Sequence, residues 1–294
     1  MSALDASAPW ALAEWGPEGR VESRYGGGAD EATRFMIGSV TKTVTGRLLA
    51  EAALAGILPL DEALPGPRFL GTPITPASLA SHLSGLPRLP PGMPPGSTQP
   101  YAPWDESRTL AVYRRIRLWR RPGTLYNYSN FGASVLGIEI SQRQERSYED
   151  LALDLLRRMG AATSGFDLPT PGLGNDGHPM DPWRMAAFTP AGGLTMTLPD
   201  LVAYGLATRS EDSEAARMVR EWRPGRSGCL TLPAKASKPT AGLGWHFLKD
   251  GNAFHNGQVA GYKSMLLLTA DGRGRAVLTA SWRSNTEAAS LSSL

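Results

Sequence analysis

The chain has 294 residues, of which 41% are hydrophobic and 19% are charged, and its formal net charge at pH 7 is +3. This composition excludes a disordered chain, and because no run of 18 apolar residues occurs, we expect no membrane-spanning helix. The net charge is too small to indicate nucleic-acid binding, so we expect a globular protein that binds neither nucleic acid nor a membrane.

The N-terminal segment does not resemble a secretory signal, because it lacks a basic start before an apolar core and is interrupted by Asp5 and Glu14. The single cysteine, Cys229, cannot form an internal disulfide, which is typical of a reducing compartment. We therefore expect a cytoplasmic protein. Neither a zinc-type Cys/His spacing nor a P-loop occurs, so we expect no metal and no cofactor.

The first predicted elements are two strands and a helix. WALAEWG and RVESRYGGG are partly alternating runs on either side of a Pro-Glu-Gly turn. Apolar residues then repeat at helical spacing from Val40 to Ala53, and Gly56 ends the helix. Ser39 is therefore predicted at or next to the start of this helix.

The middle of the chain combines a segment rich in proline and glycine with several helices. LPRLPPGMPPGSTQP is the most extreme part of that segment. We interpret residues 86–104 as a long irregular loop, either a lid over a site or a flexible surface loop. Helical spacing then predicts helices over residues 107–119, 130–143 and 148–159.

The C-terminal part again has strand-like runs. WHFLKDGNAFHNG, KSMLLLTADGRG and RAVLTASW are separated by Asp-Gly turns and predict an antiparallel meander. Strands at both ends predict an α/β (α+β) fold, in which an antiparallel β-sheet built from both termini is flanked by helices. We predict a sheet domain over residues 1–64 and 166–294, with a mainly helical domain inserted at 65–165.

Ser39 and Lys42 lie three residues apart in FMIGSVTKTVTG, on one face of the predicted helix. A serine hydroxyl becomes a nucleophile when a base takes its proton, and a lysine can be that base if burial lowers its pKa. The flanking apolar residues supply such a setting. The spacing alone is common by chance, but no other serine and lysine of this chain share it.

Two further motifs carry suitable chemistry. In PGTLYNYSN, Tyr128 can relay a proton and Asn130 can hold both a substrate carbonyl and the lysine. In FHNGQVAGY, His255, Asn256 and Gly257 lie on a predicted strand, where the glycine lets a substrate approach. The backbone N–H groups of Ser39 and Gln258 are candidates for an oxyanion hole. We interpret the other histidines as structural, namely His82, His178 and His246.

The order SxxK, YxN, HxG resembles the serine β-lactamase and penicillin-binding-protein superfamily. The chain is most similar to its class C β-lactamase-like branch, which also holds esterases, DD-peptidases, D-aminopeptidases and transacylases. RFMIGSVTKTVTGRLLAEAALAGILPLDEAL, RPGTLYNYSNFGASVLGIEI and HNGQVAGYKSMLLL carry the resemblance, which runs from about residue 9 to residue 282. The familiar form of the pattern has SDN and KTG where this chain has YSN and HNG.

The resemblance implies that Ser39 is acylated, that Lys42 and Tyr128 share the general-base work, and that Asn130 positions the substrate. His255 replaces the lysine of KTG, which would be a permanent cation suited to the carboxylate beside a β-lactam. We therefore expect a small ester or amide as substrate rather than an anionic antibiotic. An acyltransferase that passes the acyl group to an amine or alcohol, and a non-catalytic ligand-binding or sensor relative, remain alternatives.

A different fold is also open at this point. GASVL around Ser134 could be the nucleophile elbow of an α/β-hydrolase, with Asp200 and His255 completing a triad, although Leu136 stands where the elbow needs glycine.

The run RRIRLWRR contains five arginines shortly before the YxN motif. It is explained either by a solvated helix face or by a dock for an anionic carrier such as a phosphopantetheine arm. The sequence leaves the oligomeric state open. The arginines are Arg114, Arg115, Arg117, Arg120 and Arg121.

Overall fold

A computed structural model describes residues 4–94, 96–224 and 240–291 of the chain. Cys229 lies outside these ranges, so the expectation of an unpaired cysteine stays a prediction. In the described ranges, no helix has both the length and the apolar character needed to cross a membrane.

The strands in chain order are β1 Trp10–Trp15, β2 Val21–Gly26, β3 Phe35–Met36, β4 Arg68–Phe69, β5 Thr72–Pro73, β6 Gly172–Leu173, β7 Pro179–Met180, β8 Thr195–Met196, β9 Thr240–Ala241, β10 His246–Phe247, β11 Ala253–Val259, β12 Tyr262–Leu268 and β13 Gly274–Thr279. The helices are α1 Thr41–Leu54, α2 Pro76–Ala80, α3 Glu106–Arg115, α4 Asn130–Gln144, α5 Tyr148–Arg158, α6 Thr189–Gly192, α7 Leu198–Ser210, α8 Glu214–Glu221 and α9 Thr286–Leu291.

Within the described ranges, seven strands form one antiparallel sheet in the order β2-β1-β13-β12-β11-β10-β9. Strand β1 pairs with β13 along its whole length, from Trp10 opposite Thr279 to Trp15 opposite Gly274. The N-terminal hairpin therefore joins the C-terminal meander in a single sheet. This confirms the predicted fold class, including the sheet built from both termini.

The sheet is amphipathic at its N-terminal edge and buried at its centre. In β1 every second residue is buried, including Ala11, Ala13 and Trp15, which is the period of a strand with one face on the core. In β13 all six residues are buried, and both α7 and α9 contact this strand. The strand that carries His255 lies two positions from β13 in this sheet.

Helix α1 begins at Thr41, two residues after Ser39 and close to the predicted start, and its first ten residues are all buried. Helix α4 begins just after the YxN tyrosine, and the hydroxyl of Ser129 caps it by accepting a hydrogen bond from the N–H of Gly132, 2.8 Å away. Both chemistry-bearing motifs thus lie at helix N-termini, where the backbone direction holds their side chains in place.

The prediction of a helix over 107–119 was too long. Helix α3 ends at Arg115 because Ile116 adopts an extended conformation, with φ −67° and ψ 138°. The helix-face explanation of the arginine run therefore applies to Arg114 and Arg115, whereas Arg117 lies beyond the helix.

The predicted domain boundaries are consistent with the positions of the elements, since 65–165 contains α2, α3, α4, α5 and one small hairpin. One cluster of buried apolar side chains nevertheless extends through both predicted parts, from Ala11 to Leu156 and Leu278. The division at these boundaries stays a prediction.

Candidate active site

Ser39 lies in a short 3-10 turn, Gly38–Val40, immediately before α1. Gly38 has φ +50°, a left-handed conformation that favours glycine. A Cβ atom at Gly38 would also lie 2.9 Å from the backbone nitrogen of Gln258. The turn therefore places the nucleophile's backbone directly against β11, next to the second N–H of the predicted oxyanion hole.

The side chain of Lys42 contacts that of Ser39. Its Nζ lies 3.0 Å from Ser39 Oγ and donates a hydrogen bond to the backbone oxygen of Ala191, 2.5 Å away. The side chain is buried, and burial, helped by the positive charge of Arg88, holds the pKa of Lys42 well below its usual range. A lysine that is neutral and in contact with a serine hydroxyl can act as its base.

The oxygen of Ala191 was not foreseen from the sequence. A main-chain acceptor leaves no signal of its own in a residue pattern.

Tyr128 is the second side chain that contacts Ser39. Burial raises the pKa of Tyr128 to about 12, and a hydrogen bond with Ser39 acts in the opposite direction. Lys42 Nζ lies 5.0 Å from the centre of the Tyr128 ring. The structure thus brings the SxxK and YxN motifs together, with the tyrosine held as a neutral phenol beside the serine.

Asn130 is placed differently from the expectation. Its Nδ2 donates a hydrogen bond to the hydroxyl of Tyr101, 3.0 Å away, and no hydrogen bond joins it to Lys42. Its Oδ1 is buried and has no partner among the residues that the structure describes. The predicted contact between Asn130 and Lys42 was therefore wrong, because Lys42 donates its hydrogen bond to the backbone oxygen of Ala191 instead. Asn130 Oδ1 remains available to accept a hydrogen bond from a substrate.

His255 is buried in β11 with its ring centre 6.3 Å from that of Tyr128. Its Nδ1 donates to the backbone oxygen of Asn256, 2.8 Å away, and Nε2 has no partner within the described ranges. Burial holds the pKa of His255 well below its usual range, and protonation of His246 or Lys42 would lower it further. Position 255 therefore carries a neutral imidazole with one acceptor atom.

The sequence reading missed two more histidines at this place. His82 lies 4.3 Å from the Tyr128 ring, and His246 lies 5.0 Å from the ring of His255. Burial lowers the pKa of His246 to about 4 and that of His82 well below its usual range. In the parts of the chain with described positions, no group of His, Cys, Asp and Glu side chains is arranged to hold a metal ion.

The HNG motif divides between the two faces of the sheet. His255 and Gly257 are buried on the face that meets Ser39, whereas Asn256 is exposed and its Nδ2 donates to Glu287, 3.1 Å away. The prediction that Asn256 binds substrate was therefore wrong, because strand alternation turns its side chain away from the site.

Gly257 has a different neighbour from the one expected. A Cβ atom there would lie 2.1 Å from the backbone oxygen of Ile37, two residues before Ser39. The glycine is needed for the close approach of β11 to the nucleophile's own segment, and this approach forms one wall of the site.

The α/β-hydrolase alternative is wrong. Ser134 lies in the middle of α4, fully buried, and its hydroxyl donates to the backbone oxygen of Ala187. A nucleophile elbow needs a strand-to-helix turn with an exposed hydroxyl. Asp200 is also occupied elsewhere, since it accepts hydrogen bonds from Thr163 and Ser164.

Two arginines of the run lie close to the segment that carries Tyr128. Arg117 and Arg120 line a surface cavity of about 500 Å³ together with Trp119, which is 88% exposed, and Asn127, the residue before Tyr128. Binding of an anionic carrier at this run stays a prediction.

Known proteins share sequence and fold with this chain. The family model described as Beta-lactamase matches residues 10–293. The D-alanyl-D-alanine-carboxypeptidase/endopeptidase AmpH of Escherichia coli K12 is 30% identical over 131 residues, which are 42% of this chain and 34% of that protein. The chain thus spans about a third of the length of the curated relatives that it matches.

Solved structures share the fold. The β-lactamase/D-alanine carboxypeptidase of Yersinia pestis gives a TM-score of 0.81 at 19% identity, over 97% of this chain and 92% of that one. The D-alanine carboxypeptidase AmpC of Burkholderia cenocepacia gives 0.77 at 18% identity, over 98% and 95%. At these identities the likeness concerns the fold alone, but the family model covers nearly the whole chain. The chain therefore belongs to the beta-lactamase family.

Proposed function

We propose that the protein is a serine hydrolase that forms an acyl-enzyme on Ser39 from a small ester or amide. The observation that carries this proposal is the 3.0 Å contact between Ser39 Oγ and Lys42 Nζ, in a site where burial lowers the pKa of the lysine. A buried lysine without an acidic partner is costly for a fold, and its contact with a serine explains its presence.

The contacts support the following first half-reaction. Neutral Lys42 takes the proton of Ser39 while Oγ attacks the carbonyl carbon, and the N–H groups of Ser39 and Gln258 stabilise the resulting oxyanion. The tetrahedral intermediate collapses as Tyr128 gives its proton to the leaving group. Tyr128 regains a proton from the Lys42 ammonium, so both groups return to their starting states.

The second half-reaction uses the same groups in the reverse sense. A water molecule attacks the acyl carbon and passes its proton to the Lys42 and Tyr128 pair. Ser39 then leaves with that proton, and the acid product is released.

Acyl transfer is a second candidate function, favoured by the cavity beside Asn127. That cavity is lined by Arg117, Arg120 and the exposed Trp119, together with Asn127, the residue before Tyr128 in the chain. An anionic carrier bound to these arginines would lie against the segment that carries Tyr128. Adding an amine or alcohol acceptor to the assay and identifying the products by mass spectrometry distinguishes transfer from hydrolysis.

Intact-mass analysis after incubation with p-nitrophenyl esters, D-amino-acid amides and a penicillin tests the proposal. We expect an acyl adduct on the wild type that is absent in Ser39→Ala, with turnover reduced by about 10³-fold or more. Ser134→Ala is the matched control, because it removes a buried serine outside the site and should retain the adduct. Labelling of Ser39 without turnover of any ester would favour the non-catalytic relative, and turnover by Ser39→Ala would refute the proposal.

A further inference from the structure

One charged side chain at the site has no part in the mechanism above. Arg88 is exposed, and its guanidinium carbon lies 5.1 Å from the centre of the Tyr128 ring. Lys42 Nζ lies at a similar distance from the same ring, 5.0 Å. Arg88 belongs to the Pro- and Gly-rich loop 86–104, whose composition alone does not indicate a defined position.

The backbone around Arg88 is attached to the YxN segment. The carbonyl oxygen of Arg88 accepts the N–H groups of Asn130 and Phe131, at 2.9 and 3.2 Å. The preceding carbonyl, that of Pro87, accepts the hydroxyl of Ser129 at 2.6 Å. The guanidinium is therefore carried by the same hydrogen-bonded unit that holds Tyr128, rather than by a free loop.

Arg88 also supplies a permanent positive charge beside Tyr128. No described Asp or Glu lies within 4.0 Å of its guanidinium nitrogens. Burial lowers the pKa values of Lys42 and of the three neighbouring histidines, His82, His246 and His255. An arginine keeps its charge at every physiological pH and offers a planar fork that matches a carboxylate.

We propose that Arg88 is a specificity-determining residue that binds a carboxylate on the leaving group of the substrate. The leaving group is the part concerned, because Arg88 lies on Tyr128, which protonates that group. A single permanent charge suits one carboxylate. The inference rests on the proposed function. It also revises the expectation that the loss of the KTG lysine at position 255 disfavours anionic substrates, because Arg88 supplies a cation from the loop beside Tyr128 rather than from β11.

Two esters whose leaving groups differ in charge test the inference, namely 4-acetoxybenzoate and its methyl ester. The measured quantity is the ratio of their kcat/KM values at constant ionic strength. We expect Arg88→Gln to lower the ratio of the anionic to the neutral ester about tenfold, which corresponds to roughly 1.4 kcal/mol. Arg88→Lys should retain part of the preference, because the charge remains but the bidentate fork is lost.

The matched control is Arg108→Gln. Arg108 is exposed and lies 4.3 Å from the ring of Trp104, so it repeats the stacking of an arginine on an aromatic ring away from Ser39. Its loss should leave the ratio unchanged. If Arg88→Gln lowers both rates equally and shifts the pH profile, Arg88 acts through the charge state of Lys42 alone and the inference is overturned.

A binding measurement separates this inference from the proposed function. In the Ser39→Ala background, calorimetry compares 4-hydroxybenzoate with its methyl ester, with Arg88 present and with Arg88→Gln. An Arg88-dependent preference in binding, together with a wild type that hydrolyses no ester, would support the role of Arg88 and overturn the proposed function. Hydrolysis with no Arg88-dependent preference in rate or in binding would overturn the role of Arg88 alone.

Discussion

Replacing Gly257 with alanine tests the wall between the nucleophile's segment and strand β11. The added Cβ would lie 2.1 Å from the backbone oxygen of Ile37 and 2.4 Å from Ser264 Oγ. Ser264 Oγ itself donates to that backbone oxygen at 2.6 Å, so neither atom can move freely. To restore ordinary contact, the strand and the segment before Ser39 must separate by roughly 1 Å.

This separation acts directly on the oxyanion hole. Ser39 lies two residues after Ile37, and Gln258 follows Gly257, so the two N–H groups move apart when the methyl group enters. A misplacement of about 1 Å costs on the order of 10²-fold in rate, which is also the lower end of the cost of removing one oxyanion donor. We expect kcat/KM for a neutral p-nitrophenyl ester to fall about 10²-fold, with a loss of roughly 1–3 kcal/mol in the free energy of unfolding.

The assay combines steady-state kinetics with thermal unfolding of the same preparations. Gly172→Ala is the matched control, because its Cβ would lie 2.5 Å from the backbone oxygen of Gly261, a similar clash that does not involve Ser39. Gly16→Ala, where nothing lies within 4 Å, reports the effect of the substitution alone. Ester turnover by Gly257→Ala within threefold of the wild type, or an equal loss in Gly172→Ala, would refute the reasoning.

Three other predictions concern the proton-transfer pair, position 255 and the response to acid. Lys42→Ala and Tyr128→Phe should each cost nearly as much kcat as the double substitution, because the two groups act as one unit; strict additivity in the cycle would show that they serve separate steps. His255→Lys should raise the ratio of penicillin acylation to neutral-ester acylation about tenfold, since it adds a permanent cation to β11. The wild-type ratio should stay flat between pH 6 and pH 8, because burial keeps His255 neutral there; a wild-type ratio that equals that of the variant would remove position 255 from specificity. The free energy of unfolding should fall as pH drops from 6.5 to 5, because the unfolded chain binds protons that buried His82, His246 and His255 do not. In urea titrations, the free energy of unfolding should change by roughly 4 kcal/mol per pH unit, and His246→Gln should remove about a third of this pH dependence. If the pH dependence of the variant equals that of the wild type, His246 is not neutral in the folded protein.

Local patterns in the sequence were sufficient to predict most helices and strands and the contact between Ser39 and Lys42. Helical spacing places Ser39 and Lys42 on one face, so the 3.0 Å contact between them follows from the geometry of a single turn. Alternation and Asp-Gly turns likewise predicted the C-terminal meander, because adjacent antiparallel strands need only a short turn to pair. The order of three motifs was enough to indicate the family. None of these inferences needed contacts between distant parts of the chain.

The remaining features of the site depend on contacts over long sequence separations. His82, Arg88 and His246 come from two different segments, and no residue pattern shows that both meet at Tyr128. The acceptor for Lys42 is a main-chain oxygen of Ala191, 149 residues away, which any residue type could supply. The sequence analysis assigned both His255 and Asn256 to the site, although neighbouring residues of a strand face opposite ways. Only the approach of Ile37 to Gly257 decided which face is the site. Tertiary packing decides these points, because it sets which atoms of distant segments lie within hydrogen-bonding and electrostatic range of Ser39.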